Sequence, residues 1–326
     1  MDKKHSIGLL KVRSSRACVG KGYSLYTDNF KAIFRYTFVI AVIYGLIYGA
    51  FGTYVSIKTP EMVMAQIDAW QRQEAFLPQE NLHMLWPLPV LSVLMALVSC
   101  VCAGYVFALL RQHRQTNAFP HPAGWFNWDG HAIWRTCKAT FFLFLVEIIF
   151  LTILTIPATL CYIYIGTREG AVCSALSFML YLLLMFPTLY GWMKYILTDG
   201  YDYWRNLWSN YLVAMRYFGR GFIVVAICLI TIGAAWFFTN IPAIILGIAN
   251  MQAHLGVLYG DPLGMPGYIV PLTYCVFVIA SFIQAYIHIS ILFPLYFLTG
   301  SIDAQEEGRK NQQWLKKQSQ SNTEKL

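Results

Sequence analysis

The feature that most restricts this chain is a series of apolar runs, each of eighteen residues or more and almost free of charge. At about 1.5 Å rise per residue, such a run crosses a hydrocarbon layer of ~30 Å as a helix. In lipid, only helices and closed barrels satisfy every backbone polar group. The runs fall at about 36–57, 85–110, 141–165, 171–197, 221–248 and 268–298. With 57% apolar and 12% charged residues and a mean hydropathy of +0.50, the 326-residue chain carries too little charge to cover a water-facing surface. The sequence predicts an all-α polytopic membrane bundle with six transmembrane helices.

Lysine and arginine are unevenly distributed between the connections. The arm 1–21 has Lys3, Lys4, Lys11, Arg13, Arg16 and Lys21 against Asp2, and the segments 111–138, 194–220 and 301–326 are also basic. On the other side stand Lys58, Arg72 and Arg168. Basic connections stay in the cytoplasm, so both termini are expected inside a bacterial inner membrane, which an even number of spans allows. No cleavable leader is apparent ahead of the first run, so the first helix is expected to remain in the mature protein. The net charge of +8 lies mostly in segments that border the spans. There anionic headgroups of the bilayer at the cytoplasmic face are the nearest partners, and no nucleic acid is implied.

A twelve-residue unit recurs ahead of apolar runs, at 25–36, 125–136 and 206–217. Aligned without gaps, the copies place Arg35, Arg135 and Arg216 together, preceded by Phe34, Trp134 and Met215, with Asn29, Asp129 and Asn210 six positions before the arginine. In the first copy Tyr26, Phe30, Ile33 and Phe34 share one helical face, and Thr27, Asp28, Lys31 and Arg35 the other. This pattern predicts interfacial helices with arginines on lipid phosphate. Ile156-Pro157-Ala158 recurs as Ile241-Pro242-Ala243, and Phe186-Pro187 as Phe293-Pro294. The chain is therefore divided into an arm (1–21), a membrane domain (22–300, in units of about 22–112, 122–198 and 201–300) and a basic tail (301–326).

Local signals add detail. Gly45, Gly49 and Gly52 bare one face of the first span and imply a close helix neighbour. Thr59 and Pro60 read as the start of a short surface helix carrying Val63, Ile67 and Trp70. Gly166 to Gly170 make a tight hairpin, and Pro157 and Pro242 should kink their spans. Trp125, Trp128, Trp134, Trp204 and Trp208 form an aromatic belt. The eight cysteines form no C-x-x-C pair and read as structural thiols rather than disulfides or metal ligands.

Chemistry is sparse. No phosphate-loop, zinc-protease or nucleophile-elbow motif occurs, and His113, His121 and His131 match no metal-ligand spacing, so no cofactor or metal is expected. An ionisable group inside a span is costly and points to function, and Glu147 is one. Gln284 and His288 stand one turn apart in the sixth span, at a depth that permits a contact with Glu147, roughly a dozen Å from the inner edge. These three residues form the candidate intramembrane polar site.

The pattern aromatic-x-x-Asn-Phe-x-x-x-x-Arg, here Tyr26, Asn29, Phe30 and Arg35, with Asn210, Tyr211 and Arg216 in the third unit, resembles the openings of bacterial polytopic inner-membrane families. It is similar to the membrane domain of glycerophosphodiester phosphodiesterase and to membrane proteins of Bacteroidota. The resemblance covers only the units of amphipathic helix and span. It implies a multi-pass inner-membrane fold, carries over no catalytic residue, and no phosphodiesterase domain is present. The expectation is a non-enzymatic protein that binds lipid, a protein partner or a second copy at the inner face. The alternative is a small-solute or ion transporter working through Glu147 and His288.

Overall fold

The computed structural model describes residues 9–71, 86–119, 130–258 and 266–323. They form α1 (Ser15–Asp28), α2 (Phe30–Gln71), α3 (Pro87–Thr116), α4 (Gly130–Tyr164), α5 (Thr167–Met185), α6 (Thr188–Leu197), α7 (Tyr203–Arg216), α8 (Phe218–Leu258), α9 (Ile269–Ser290) and α10 (Leu292–Thr323). Among the described residues six stretches are long and apolar enough to cross a membrane: α2, α3, α4, α5 with α6, α8, and α9 with α10. The protein is an all-α, multi-pass helical bundle.

α1 begins at Ser14, whose hydroxyl accepts from the Ala17 amide at 3.3 Å and caps the first turn. It stops at Asn29, and a new helix starts at Phe30. The break falls inside the first twelve-residue unit, so 25–36 is not one interfacial helix, which corrects the sequence reading. Part of its aromatic face packs on protein, while Phe30 stays 40% exposed. Tyr26 meets Phe293 at 5.2 Å, Phe34 stacks on Tyr286 at 5.3 Å, and the Tyr26 hydroxyl donates to the Tyr286 carbonyl at 3.0 Å. Aromatic rings with ring partners gain edge and stacking contacts beyond what burial in acyl chains offers, and α9 and α10 supply those rings. The other copies sit differently: 206–217 fills most of α7 and ends on its C-cap, while 130–136 opens α4 and 125–129 lies outside the described residues.

α2 and α9 pack as the glycine stripe requires. A Cβ at Gly49 would lie 3.0 Å from the Val278 backbone nitrogen, so the two backbones approach more closely than any larger residue allows. The surface helix expected from Thr59 does not exist as a separate element, because α2 continues unbroken to Gln71 with Pro60 buried inside it. A proline removes the amide that would bond the carbonyl four residues back, here that of Ser56. The Asn250 side-chain amide of α8 donates to that carbonyl at 2.8 Å. The orphaned acceptor is satisfied from outside, and the helix has no reason to stop.

The hairpin between α4 and α5 is tighter than the sequence suggests, with only Ile165 and Gly166 between them; Gly166 adopts a φ of 144°. Pro157 and Pro242 lie inside α4 and α8. The fourth span breaks at Phe186-Pro187 into α5 and α6, and the sixth breaks at Ile291, leaving Phe293-Pro294 in the first turn of α10.

The packed core sits at the basic end of the bundle. Phe293, Tyr296 and Phe297 of α10 are fully buried against Phe107 and Leu110 of α3, Met193 and Ile196 of α6, Tyr203 of α7 and Val224 of α8. By contrast α4 and α5 expose Phe144, Ile149, Leu151, Ile153, Leu176 and Phe178, as lipid-facing surface does.

Candidate functional site

The basic end is built around the C-terminus of α6. The last carbonyls of any helix lack partners and carry the negative end of its dipole, and two arginines from other helices converge on them here. Arg114 of α3 donates to the Leu197 carbonyl at 3.2 Å and to the Thr198 hydroxyl at 2.9 Å. Arg135 of α4 donates to the carbonyls of Tyr195, at 2.7 Å, and Thr198, and lies 4.5 Å from the centre of the Tyr195 ring. Asp199 follows, ion-paired with Arg111 and, at 3.4 Å, with Arg135. The hydrogen bond from Arg111 holds its carboxyl below the usual carboxylate range, with the charges of Arg111, Arg135 and His131 acting the same way against a smaller burial cost.

Deeper in, two buried acids on α10 each take a cation from another helix. Asp303 accepts from the Tyr190 hydroxyl at 2.6 Å and from Lys194 at 3.0 Å, both on α6. Glu306 accepts from Arg216 of α7 at 2.6 Å and from Arg309, one turn along α10, at 2.8 Å. Lys194 also lies 5.7 Å from the centre of the Tyr201 ring, whose hydroxyl donates to Asn210 at 2.7 Å. These pairs fix the register of α10 against α6 and α7. By sequence Lys194 falls both at the end of the run 171–197 and at the start of the basic segment 194–220; it lies inside α6. The rule that singles out Glu147, an ionisable residue before the end of a span, would have found it as well.

Of the three aligned arginines, Arg135 and Arg216 therefore bond protein acceptors, and Arg35 is exposed on α2. Trp134 and Trp208 are 71% and 70% exposed at the same end, where the aromatic belt was expected; Trp125 and Trp128 lie outside the described residues. Among the described residues no three His, Cys, Asp or Glu side chains gather as a metal site would need. His113 is buried with its Nδ1 2.9 Å from the Tyr296 hydroxyl, His131 faces Arg111 at 3.3 Å, and His121 lies outside the described residues.

The intramembrane triad divides in two. Glu147 is half-buried on α4, close enough for its charge to act on Tyr181 of α5 and Tyr203 of α7. The Tyr203 phenol, in the first turn of α7 outside the spans, is pushed up to about 12 by burial first and the Glu147 charge second. His288 of α9 has its Nδ1 3.0 Å from the Tyr44 hydroxyl of α2, and Gln284 is buried one turn before it. No Glu147–His288 contact forms. α4 packs on α3, and α3 in turn touches α9, so α3 stands between the two residues.

His288 instead opens a polar track. Tyr44 stacks on Tyr48 at 4.0 Å, the Tyr48 hydroxyl lies 2.8 Å from Ser99 Oγ, and Ser99 donates to the Met95 carbonyl at 2.7 Å. These side chains line a cleft of about 140 Å³ together with Cys102 and Ala285. Among the described residues its wall holds a thiol and an imidazole but no carboxylate. Compared with family models, curated proteins and solved structures, the chain matches none of them.

Proposed function

We propose that this is a non-enzymatic protein of a bacterial inner membrane that engages anionic lipid at its cytoplasmic face. The observation that carries this reading is the tail of α10. Its root is braced by Asp303 and Glu306, and the helix then continues through 307–323 with Trp314 and Leu315 at 61% and 57% exposure. On a helical projection Arg309, Lys310, Lys316 and Lys317 fall on one side, and Trp314 and Leu315 on the other. Cations for phosphate beside apolar side chains for the acyl boundary is the composition of an interfacial helix. The described basic residues of the arm and connections, on the side of α1 and α10, support a cytoplasmic placement of both termini. The paired Phe-Pro breaks near the inner ends of the fourth and sixth spans support construction from duplicated units.

Hydrogen exchange on the full chain in nanodiscs tests this. Amides of 307–323 should exchange markedly more slowly in discs containing anionic lipid than in zwitterionic ones, and the difference should vanish in Lys310→Gln/Lys316→Gln/Lys317→Gln. Equal exchange in both lipids would remove the lipid role and leave a protein partner as the occupant of the tail.

One observation favours a second reading, transport of a small solute or proton: the His288–Tyr44–Tyr48–Ser99 track inside the membrane. Proteoliposomes carrying His288→Phe should then lose a proton or solute flux that the native chain supports. A native chain without flux above empty liposomes ends that reading.

A further inference from the structure

At the end of the bundle away from the basic connections, α4 and α5 have little protein around them; Tyr164 is 79% exposed and Ile163 67%. What holds them together is local. Gly166 turns the chain, and a Cβ on Gly170 would fall 2.4 Å from the Tyr162 ring, so the two helices are in direct contact there. Within a turn of that contact the Cys173 thiol lies 3.0 Å from the thiol of Cys161, both half-buried. Counted along the helices, the pair lies about 5–9 Å from the hairpin tip, within reach of the aqueous boundary. The other cysteines have different surroundings. Cys18, Cys102 and Cys228 are buried in the core, Cys100 and Cys137 face each other between α3 and α4, and Cys275 is exposed on α9.

We infer that Cys161 and Cys173 are a disulfide-forming pair that staples the outer end of the α4–α5 hairpin. This rests on the proposed topology, which puts residues 165–166 outside the cytoplasm, where thiols oxidise and stay oxidised. The reaction is exchange with a disulfide-bearing oxidant of that compartment. The thiolate of one cysteine attacks an oxidant sulfur and forms a mixed disulfide; the second thiolate displaces the oxidant's sulfur and forms the Cys161–Cys173 bond. The oxidant leaves as a dithiol, having taken up the two electrons and two protons that the cysteines lose. A covalent link suits a hairpin whose outer end has lipid rather than protein for neighbours.

The test is peptide mapping of the full chain from cells quenched in acid and alkylated. The expected result is a linked peptide pair containing Cys161 and Cys173, lighter by two hydrogens than the reduced pair and released by dithiothreitol. In Cys161→Ser the Cys173 peptide should be alkylated instead. A parallel measurement separates the staple from the topology: Arg168→Cys in a Cys161→Ser/Cys173→Ser background, treated with a membrane-impermeant maleimide. Labelling of position 168 from outside, with both native thiols alkylated rather than linked, overturns the staple and leaves the topology standing. No labelling at 168 while Ser319→Cys in the tail is labelled overturns the topology and the staple with it.

Discussion

Asn250 of α8 completes a hydrogen bond that Pro60 removes from α2: its side-chain amide stands 2.8 Å from the carbonyl of Ser56, four residues before the proline. Asn250 is itself buried at 7% exposure, so the pair joins two helices at a place that water hardly reaches. A polar contact between membrane helices contributes ~0.6 kcal/mol on average and up to about 1.7 kcal/mol. Asn250→Leu should therefore lower stability by about 1–2 kcal/mol in a denaturant-unfolding measurement. The same change in a Pro60→Ala background should cost much less, since the restored amide of residue 60 reaches Ser56 from within α2. Equal costs in both backgrounds would mean that the amide contributes something other than this bond.

Asp303 and Lys194 make the complementary case at the basic end. Removing one member of a buried pair leaves a charge without its partner, at a cost of ~3–5 kcal/mol. The Lys194 side chain keeps 25% of its exposure, which places Asp303→Leu near the low end, about 3 kcal/mol. Lys194→Met added to Asp303→Leu should recover part of that loss, because the double variant buries no charge. A thermal-denaturation series on wild type, the two single variants and the double variant checks the sign.

How much of this was legible in the sequence follows from what each interaction depends on. Spans and connections were readable because lipid imposes one demand on every residue of a run, and the stripe of Gly45, Gly49 and Gly52 announced a close neighbour without saying that it was α9. The surface helix after Thr59 was misread because the signal, a proline after a capping residue, is local, whereas its outcome depends on Asn250, 190 positions further on. The aromatic face of 25–36 was assigned to acyl chains for the same reason: Tyr286 and Phe293 compete for those rings and lie far along the chain. Asp303 and Glu306 were missed because a carboxylate just beyond a span reads as solvated until helix packing shows it buried. Of the polar triad, one-turn spacing correctly put Gln284 and His288 on the same helix. Depth alone could not tell that α3 stands between Glu147 and His288.

Asp199 gives a pH dependence of known sign. Its carboxyl is held below its ordinary value, chiefly by the hydrogen bond from Arg111. A depressed carboxylate contributes stability that is fully present above the unfolded value, about 3.9, and is lost as pH falls through the folded one. The melting difference between wild type and Asp199→Asn should be constant from neutral pH down to about 5 and should shrink only below about 4. The side chain is 55% exposed, so solvent and salt screen the pair, and the whole difference should be small and smaller still at high salt. A difference that instead changes near neutral pH would point to His131 or another group, not Asp199.

Glu147 and His288 occupy α4 and α9 with α3 between them, and the groups they act on differ: the Glu147 charge reaches Tyr181 and Tyr203, and the His288 ring pairs with Tyr44. Sites without shared partners are additive to within about 0.5 kcal/mol. Glu147→Gln should replace the ionisable group without creating a void, and its effect on stability should be modest. His288→Ala deletes a ring that reaches Tyr44 and should cost about 1–2 kcal/mol, the loss of one hydrogen bond and of packing in the cleft. The double variant should equal the sum of the two single variants. A coupling of about 1 kcal/mol or more would show that the acid and the imidazole act as one site despite α3 between them, through a rearrangement that brings α4 to α9, and would return the transporter reading to the front.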